Sequence, residues 1–286
     1  MAIPTLNLGN TPTNPGWRYA AAIALLTPFV LGFNAFRAFR MGDRRYFFER
    51  LGHGGIPNCD APLWIHAASV GEVHATRPLV SGIRHARADL PLLVPTVTPT
   101  GAAAVARLGK GVHHCYLPWD SKAAVRRFLQ RFQPRCAVVF ETELWPHLYH
   151  ECYRSGIAPL IVNGRLTAKT MSAPAWLAQA YLATLNNCSA VLARSEVDAK
   201  RFRQLGAPST IVHHIGNIKY APSFDQASLE NETRLSRSYV LMASTHEDEE
   251  RRIANAWIKS GIREHLLVIA PRHPQRTPQI LQQLLP

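Results

Sequence analysis

The stretch LWIHAASVGEVHATRPLVSGIRHARADLPLLVPTV, residues 63–97, holds one full period of the pattern that decides the fold. LWIHAA (63–68) and LLVPTV (92–97) are apolar runs of strand length, and the amphipathic segment between them, from Glu72 to about Arg87, reads as a helix. The beat continues outward. A helix is expected from about 101 to 108, HHCYL (113–117) precedes one near 121–132, and CAVVF (136–140) precedes one near 146–155. LIVN (160–163) leads into a basic loop and a further helix, and VLAR (191–194) and TIVHHI (210–215) follow. Near-continuous apolar strands separated by helices predict an α/β fold whose parallel sheet is covered on both faces. The polar stretch APSFDQASLENETRLSRS (221–238) reads as a linker, after which YVLMAS (239–244) and LLVIA (266–270) begin a second, smaller α/β unit.

A chain of 286 residues, 47% hydrophobic and 18% charged, builds a real core and excludes a disordered protein. The net charge of +13 implies a negatively charged partner surface: nucleic acid, anionic lipid or a phosphorylated substrate. Specific nucleic-acid binding is not expected, because the sequence carries neither an aromatic-basic stacking stripe nor a known module. Five scattered cysteines without a CxxC pair suggest neither a zinc site nor a disulfide framework and fit reduced thiols in a cytosolic body.

The N-terminal region differs from the rest. Ala20 to Phe33 run AAAIALLTPFVLGF without a charge, and Arg37, Arg40, Arg44 and Arg45 follow. The run is short of the ~20 residues of a membrane helix, although Asn34, Ala35 and Phe36 extend it. A cleaved signal peptide would carry its basic residues before the run; placed after it, they keep the following body in the cytoplasm. The expectation is a membrane anchor or interfacial helix, with a buried core helix as the alternative.

In open α/β sheets ligands collect outside the carboxyl ends of the strands, so the polar residues there are the candidates. They lie in HAASVGE (66–72), TVTPTG (96–101), YLPWD (116–120), ETELWP (141–146), NGRLTAKT (163–170), GNIKY (216–220), ASTHEDEE (243–250) and APRHPQR (270–276). Glu141 and Glu143 end an apolar strand, where ionised carboxylates are costly unless paired or used in chemistry. Strand alternation puts the two on one side if the chain stays extended. The structural alternative is pairing with Arg165 or Lys169. Glu72 opens a helix, whose dipole favours the ionised form and weakens it as a base unless an apolar setting such as Trp64 and Val70 offsets this. His246 and His273 show no ligand spacing and read as polar lining.

Taken in this order, the eight stretches resemble the 3-deoxy-D-manno-octulosonic acid (Kdo) transferases over roughly residues 45–280. The resemblance implies a GT-B-like α/β fold, with two Rossmann-like domains facing across a cleft. It places a tail with a membrane anchor or interfacial helix at 1–44, a complete acceptor-binding domain at 45–215 and an incomplete donor domain at 216–286. The last is expected to be incomplete because the family continues well past the PRHP stretch, into a glycine-rich segment and a following Glu that complete the nucleotide site. The implied activity is inverting transfer of Kdo from CMP-Kdo to the lipid A precursor (lipid IVA), in lipopolysaccharide synthesis at the cytoplasmic face of the inner membrane. No cofactor and no metal are implied, and CMP-Kdo is the donor substrate.

By the same resemblance Glu72 is the base, Glu141 and Lys219 stabilise the transition state, and Pro271 and Arg272 begin the CMP-binding set. Ser69, Gly71, Asn163 and Arg165 shape the acceptor side, and Arg40, Arg44, Arg45 and Arg50 meet lipid phosphates. The alternative reading is a catalytically impaired fragment that keeps the acceptor domain and binds anionic lipid.

Overall fold

The computed structural model describes residues 12–54, 59–221 and 236–284. The chain forms two compact units, Met1–Asp225 and Gln226–Pro286. Most of the stretch expected as a linker lies outside the described residues.

The first unit runs α1 (Trp17–Met41), α2 (Arg44–Arg50), β1 (Leu63–His66), α3 (Val70–Ala75), α4 (Arg77–Ala86), β2 (Leu92–Leu93), α5 (Pro99–Val105), β3 (Val112–His113), α6 (Lys122–Phe132), β4 (Cys136–Phe140), α7 (Pro146–Arg154), β5 (Ala158–Gly164), α8 (Ala168–Met171), α9 (Ala175–Asn186), β6 (Ala190–Ala193), α10 (Glu196–Gln204) and β7 (Val212–His214). Its seven strands pair in the order β3-β2-β1-β4-β5-β6-β7, all parallel. The order reverses between β1 and β4, which makes the carboxyl ends of those two strands the switch point where such sheets bind ligands. The second unit holds β8 (Tyr239–Thr245), α11 (Glu249–Ser260), β9 (Leu266–Pro271) and α12 (Thr277–Leu284), with β8 and β9 parallel.

Both faces of the large sheet are buried, as the continuous apolar strands require. Trp64, Ala137, Val139 and Ile161 enter one core layer with Val125, Phe128, Leu148 and Phe202. Their strand neighbours Ile65, Val138, Phe140 and Val162 enter the other with Val73, Val80 and Val105. Several expected strands are shorter than read, and two expected elements are cut by proline. The 63–97 helix is two, α3 and α4, because Pro78 lacks the N–H that would continue the ladder through Thr76. β2 stops at Leu93, two residues before Pro95, leaving only an isolated Thr96–Tyr116 bridge beyond it.

α1 is 25 residues and by length and composition alone is able to cross a membrane. Its polar side chains nevertheless hold it along the first unit. Tyr19 donates to Asp120 (2.6 Å), Trp119 donates to Thr27 (3.2 Å) and Tyr46 donates to Asn34 (3.4 Å). These anchors, with buried Ile23 and Ala38, recur at the spacing of one helix face. The opposite face leaves Leu25, Leu26, Phe29, Phe33 and Phe36 exposed.

Asp120, one of the strand-end candidates, is part of this scaffold. Its buried carboxylate accepts from Tyr19 and from the backbone N–H groups of His147 (3.1 Å) and Leu148 (2.8 Å), which caps the first turn of α7 from outside the helix. Asp120→Ala leaves three donors without this acceptor, so a loss of about 2–4 kcal/mol is expected in urea unfolding, read as a lower midpoint at unchanged slope.

Candidate active site

β1 delivers Ala67–Ser69 to the switch point, and there the chain makes a reciprocal cap. Ser69 sits at the N-cap of α3, its hydroxyl accepting from the Glu72 N–H (3.4 Å) and donating to Glu72 Oε1 (2.9 Å). The Ala68 N–H donates to the second oxygen, Oε2, at 2.8 Å. The sequence S-V-G-E therefore closes a variant of the capping box, with Glu72 reaching the N–H of the residue before the N-cap, and this fixes its carboxylate in position. A side chain at Gly71 would meet only the Ser69 hydroxyl, so the glycine leaves the space beside the box open.

β4 delivers the other carboxylates. Glu141 adopts a left-handed backbone (φ 57°), so the strand does not stay extended and alternation is not what places Glu141 and Glu143. Instead Glu141 Oε1 lies 2.7 Å from Lys219 Nζ, a close ion pair without hydrogen-bond alignment at the oxygen. The partner is Lys219 rather than Arg165 or Lys169. Arg165 is exposed and joins the site through its backbone N–H, which donates to the Glu141 carbonyl at 3.4 Å.

Asn163 explains why Lys219 is there. It is fully buried at the end of β5 in a left-handed conformation (φ 56°) that asparagine tolerates better than most residues. Its Oδ1 accepts from the Ile218 N–H (3.2 Å), and Asn217 Oδ1 accepts from the Lys219 N–H (3.1 Å). The 3₁₀ turn Ile218–Tyr220 is thereby pinned to the sheet, and Lys219 reaches Glu141.

Glu143 and His66 are the residues that sequence reasoning undervalued. Glu143 Oε2 accepts from the Trp145 indole at 2.6 Å and lies 4.0 Å from His66 Nε2. His66 is wholly buried beside Trp64 and Trp145, neither ring nitrogen has a hydrogen-bond partner, and burial with the nearby Arg50 charge holds it neutral, down at about 3. The available signal was position: His66 ends β1 and Glu143 lies in the turn that follows β4, both at the switch point.

The electrostatics resolve the difficulty of a base at a helix start. Burial, then the Glu143 charge and more weakly Glu141, push the Glu72 carboxyl up to about 7 against the two hydrogen bonds that favour its ionised form. Burial likewise raises Glu143 above the usual carboxylate range. Like-charged neighbours thus accompany burial, where the sequence suggested only an apolar setting. A carboxylate so tuned can take up a proton near neutral pH, and the nearby Glu141 carries the Lys219 cation. Among the described residues no cluster of His, Cys, Asp and Glu has a metal-binding arrangement.

The remaining candidates lie in the second unit. Pro271 ends β9, and exposed Arg272 donates its backbone N–H to Thr245 (3.0 Å), leaving its guanidinium at the carboxyl end of that sheet.

Comparison with known proteins follows the same lines. Residues 45–222 match the family described as 3-Deoxy-D-manno-octulosonic-acid transferase (kdotransferase). The chain is 33% identical over 275 residues to the 3-deoxy-D-manno-octulosonic acid transferase of Haemophilus influenzae, covering 91% of this chain and 64% of that protein. It is 32% identical over 288 residues to the enzyme of the same name from Bordetella pertussis, covering 93% and 66%. The chain therefore spans just under two thirds of the length of these curated relatives. Among solved structures, UDP-GlcNAc 2-epimerase from Neisseria meningitidis superposes with a TM-score of 0.52 at 13% identity, over 78% of this chain and 69% of that one, a likeness of fold alone. Family match and relatives agree: the chain belongs to the 3-deoxy-D-manno-octulosonic-acid transferase family.

Proposed function

We propose that the protein is an inverting glycosyltransferase that moves Kdo from CMP-Kdo to the lipid A precursor, lipid IVA, on the cytoplasmic face of the inner membrane. The observation that carries this reading is the convergence of Glu72, Glu141, Glu143 and Lys219 at the switch point, with Glu72 poised near neutral pH. Glu72 accepts the proton of the acceptor hydroxyl as its oxygen attacks the anomeric carbon from the face opposite CMP, which inverts that centre. Glu141 stabilises the oxocarbenium-like charge of the transition state, and Lys219 neutralises the sugar carboxylate or the departing phosphate. Ser69 and Gly71 shape the acceptor side together with Asn163 and Arg165; Pro271 and Arg272 receive the CMP group, the Arg272 fork gripping its phosphate. CMP leaves as a phosphate monoester, so the reaction as proposed uses no metal and no cofactor.

In this reading α1 is an interfacial helix. Its anchors from Tyr19 to Ala38 span about 28 Å of the first unit, at ~1.5 Å per residue. A helix held along its length against the body lies on a bilayer rather than crossing it, with Leu25, Leu26 and Phe29 entering the lipid and the arginines near its end meeting anionic headgroups. Labelled Kdo is expected to appear on lipid IVA when protein, CMP-Kdo and acceptor are mixed, and no transfer at any donor concentration refutes the reading. Vesicle binding without transfer supports the impaired-fragment alternative. Leu25→Ser combined with Phe29→Ser is expected to weaken binding to phosphatidylglycerol vesicles about 100-fold or more in a sedimentation assay, since each apolar side chain left in water costs roughly 1.5–3 kcal/mol.

A further inference from the structure

A cavity of about 500 Å³ opens between the end of α1 and the start of α5, lined by Phe33, Phe36, Arg37, Arg40, Thr98 and Thr100 among others. The chemistry of its walls is sorted. Phe33 and Phe36 are more than half exposed and continue the apolar face of α1, while the arginines and threonines supply N–H and O–H groups. No carboxylate lines the cavity. The acidic side chains nearby are engaged elsewhere: Glu49 holds Arg45 and the Tyr116 N–H, and Asp43 accepts from the Arg45 N–H and the Tyr116 hydroxyl. Arg37 and Arg40 instead lie over aromatic rings, those of Tyr46 and Phe36, at 5.3 and 6.0 Å.

A third arginine, Arg50, lies outside the cavity lining but close enough to Arg37 to feel its charge. Arg50 is 5% exposed, its Nη1 donates to the Leu117 carbonyl, its Nε has no hydrogen-bond partner, and among the described residues no carboxylate pairs with it. Burial lowers its affinity for its proton, and Arg37 is close enough to lower it further. The like charges of Arg37 and Arg50 give this end of α1 a positive setting that favours an anion at the cavity rim. The expectation that Arg50 meets lipid phosphates at the surface is corrected, because Arg50 is buried; Arg45 pairs with Glu49 while staying exposed, and Arg40 faces the cavity together with Arg37.

The cavity is also tied to the base. The Val97 N–H, next to Thr98, donates to the Ala68 carbonyl (3.2 Å), and the Ala68 N–H holds Glu72 Oε2. One loop contact therefore separates the cavity rim from the catalytic carboxylate. We propose that this cavity is the subsite for a phosphate group of an amphiphilic acceptor, its phosphate held by Arg37, Arg40 and the Thr100 hydroxyl and its acyl chains lying along Phe33 and Phe36. The inference rests on the proposed function only in taking the acceptor to be an amphiphile.

The test is binding of monomeric dioctanoyl phosphatidic acid, against dioctanoyl phosphatidylcholine and inorganic phosphate, by calorimetry on the whole chain. Phosphatidic acid is expected to bind best, and Arg37→Ala or Arg40→Ala to weaken it about tenfold or more while leaving phosphatidylcholine unchanged. Thr100→Val, at an exposed position, gives a smaller loss without disturbing the packing of α1, and Arg44→Ala, outside the cavity, gives none. Wild-type affinity in both arginine variants overturns the subsite, as does inorganic phosphate binding as tightly as phosphatidic acid. Transfer to lipid IVA with an unchanged acceptor KM in those variants also sinks the subsite and spares the proposed function. Arginine-dependent phosphatidic acid binding without any transfer does the reverse.

Discussion

Glu72→Gln is expected to lower kcat for Kdo transfer about 10²- to 10⁴-fold, the range for loss of a positioned general base. Glutamine at the third helical position still caps α3, so the fold should survive the change. Stability separates the chemical loss from a structural one. Because the Glu72 carboxyl is raised to about 7 in the folded protein from an ordinary 4.5, the native state binds more protons than the unfolded chain between those values. Stability thus falls as pH rises through that window, and a neutral glutamine escapes this cost at pH 8. Glu72→Gln should therefore be no less stable than the parent at pH 8 by thermal unfolding. Activity within a few-fold of the parent would remove Glu72 from its role.

The pH profile carries a second signature. With Glu72 as the proposed base, transfer would need its ionised form, so the acid limb of kcat/KM should fall near pH 7. Glu143 contributes negative charge that resists ionisation of Glu72, and Glu143→Gln should move that limb to lower pH. An unmoved limb would leave Glu143 with no hold on the base.

Lys219→Met is expected to cost about 10²- to 10³-fold in kcat, comparable to deleting one preorganised group that stabilises transition-state charge. It also unbalances the acidic cluster. With its 2.7 Å partner gone, Glu141 acts on Glu72 without a neighbouring cation, so the acid limb should move to higher pH, opposite to the effect of Glu143→Gln. Lys219→Arg keeps the charge and should recover part of the rate. A rate within threefold of the parent in Lys219→Met would show that the ion pair is scaffolding alone. Because Lys219 is exposed on a surface turn pinned through Asn163 and Asn217, its loss should leave the unfolding midpoint nearly unchanged.

The fold was readable in the sequence where one force dominated. CAVVF is observed as a strand over the residues expected, because its side chains enter core layers on both faces and no turn residue competes. Proline overrode hydrophobic pattern in two places: Pro78 split a helix and Pro95 shortened a strand. At the site, Glu72 was legible as a carboxylate opening a helix, but the hydrogen bonds that hold it were not, nor was the left-handed turn at Glu141, since glutamate has no intrinsic preference for it. The Glu141–Lys219 pair joins residues 78 positions apart through a buried asparagine, a contact that only the folded sheet creates. His66 fell inside a candidate stretch without a role of its own: it is buried as core, at a strand end where its ring lies 4.0 Å from a carboxylate.

The way α1 is fastened has one more outcome. A spanning segment must match its apolar length to the thickness of the bilayer, and mismatch sorts such proteins among membranes. A rod clipped broadside to its own domain by Tyr19, Thr27 and Asn34 has no such length to match. On the proposed interfacial placement, its partitioning would respond to the lateral packing and charge density of a single leaflet, and a thicker or thinner membrane would hold it equally well.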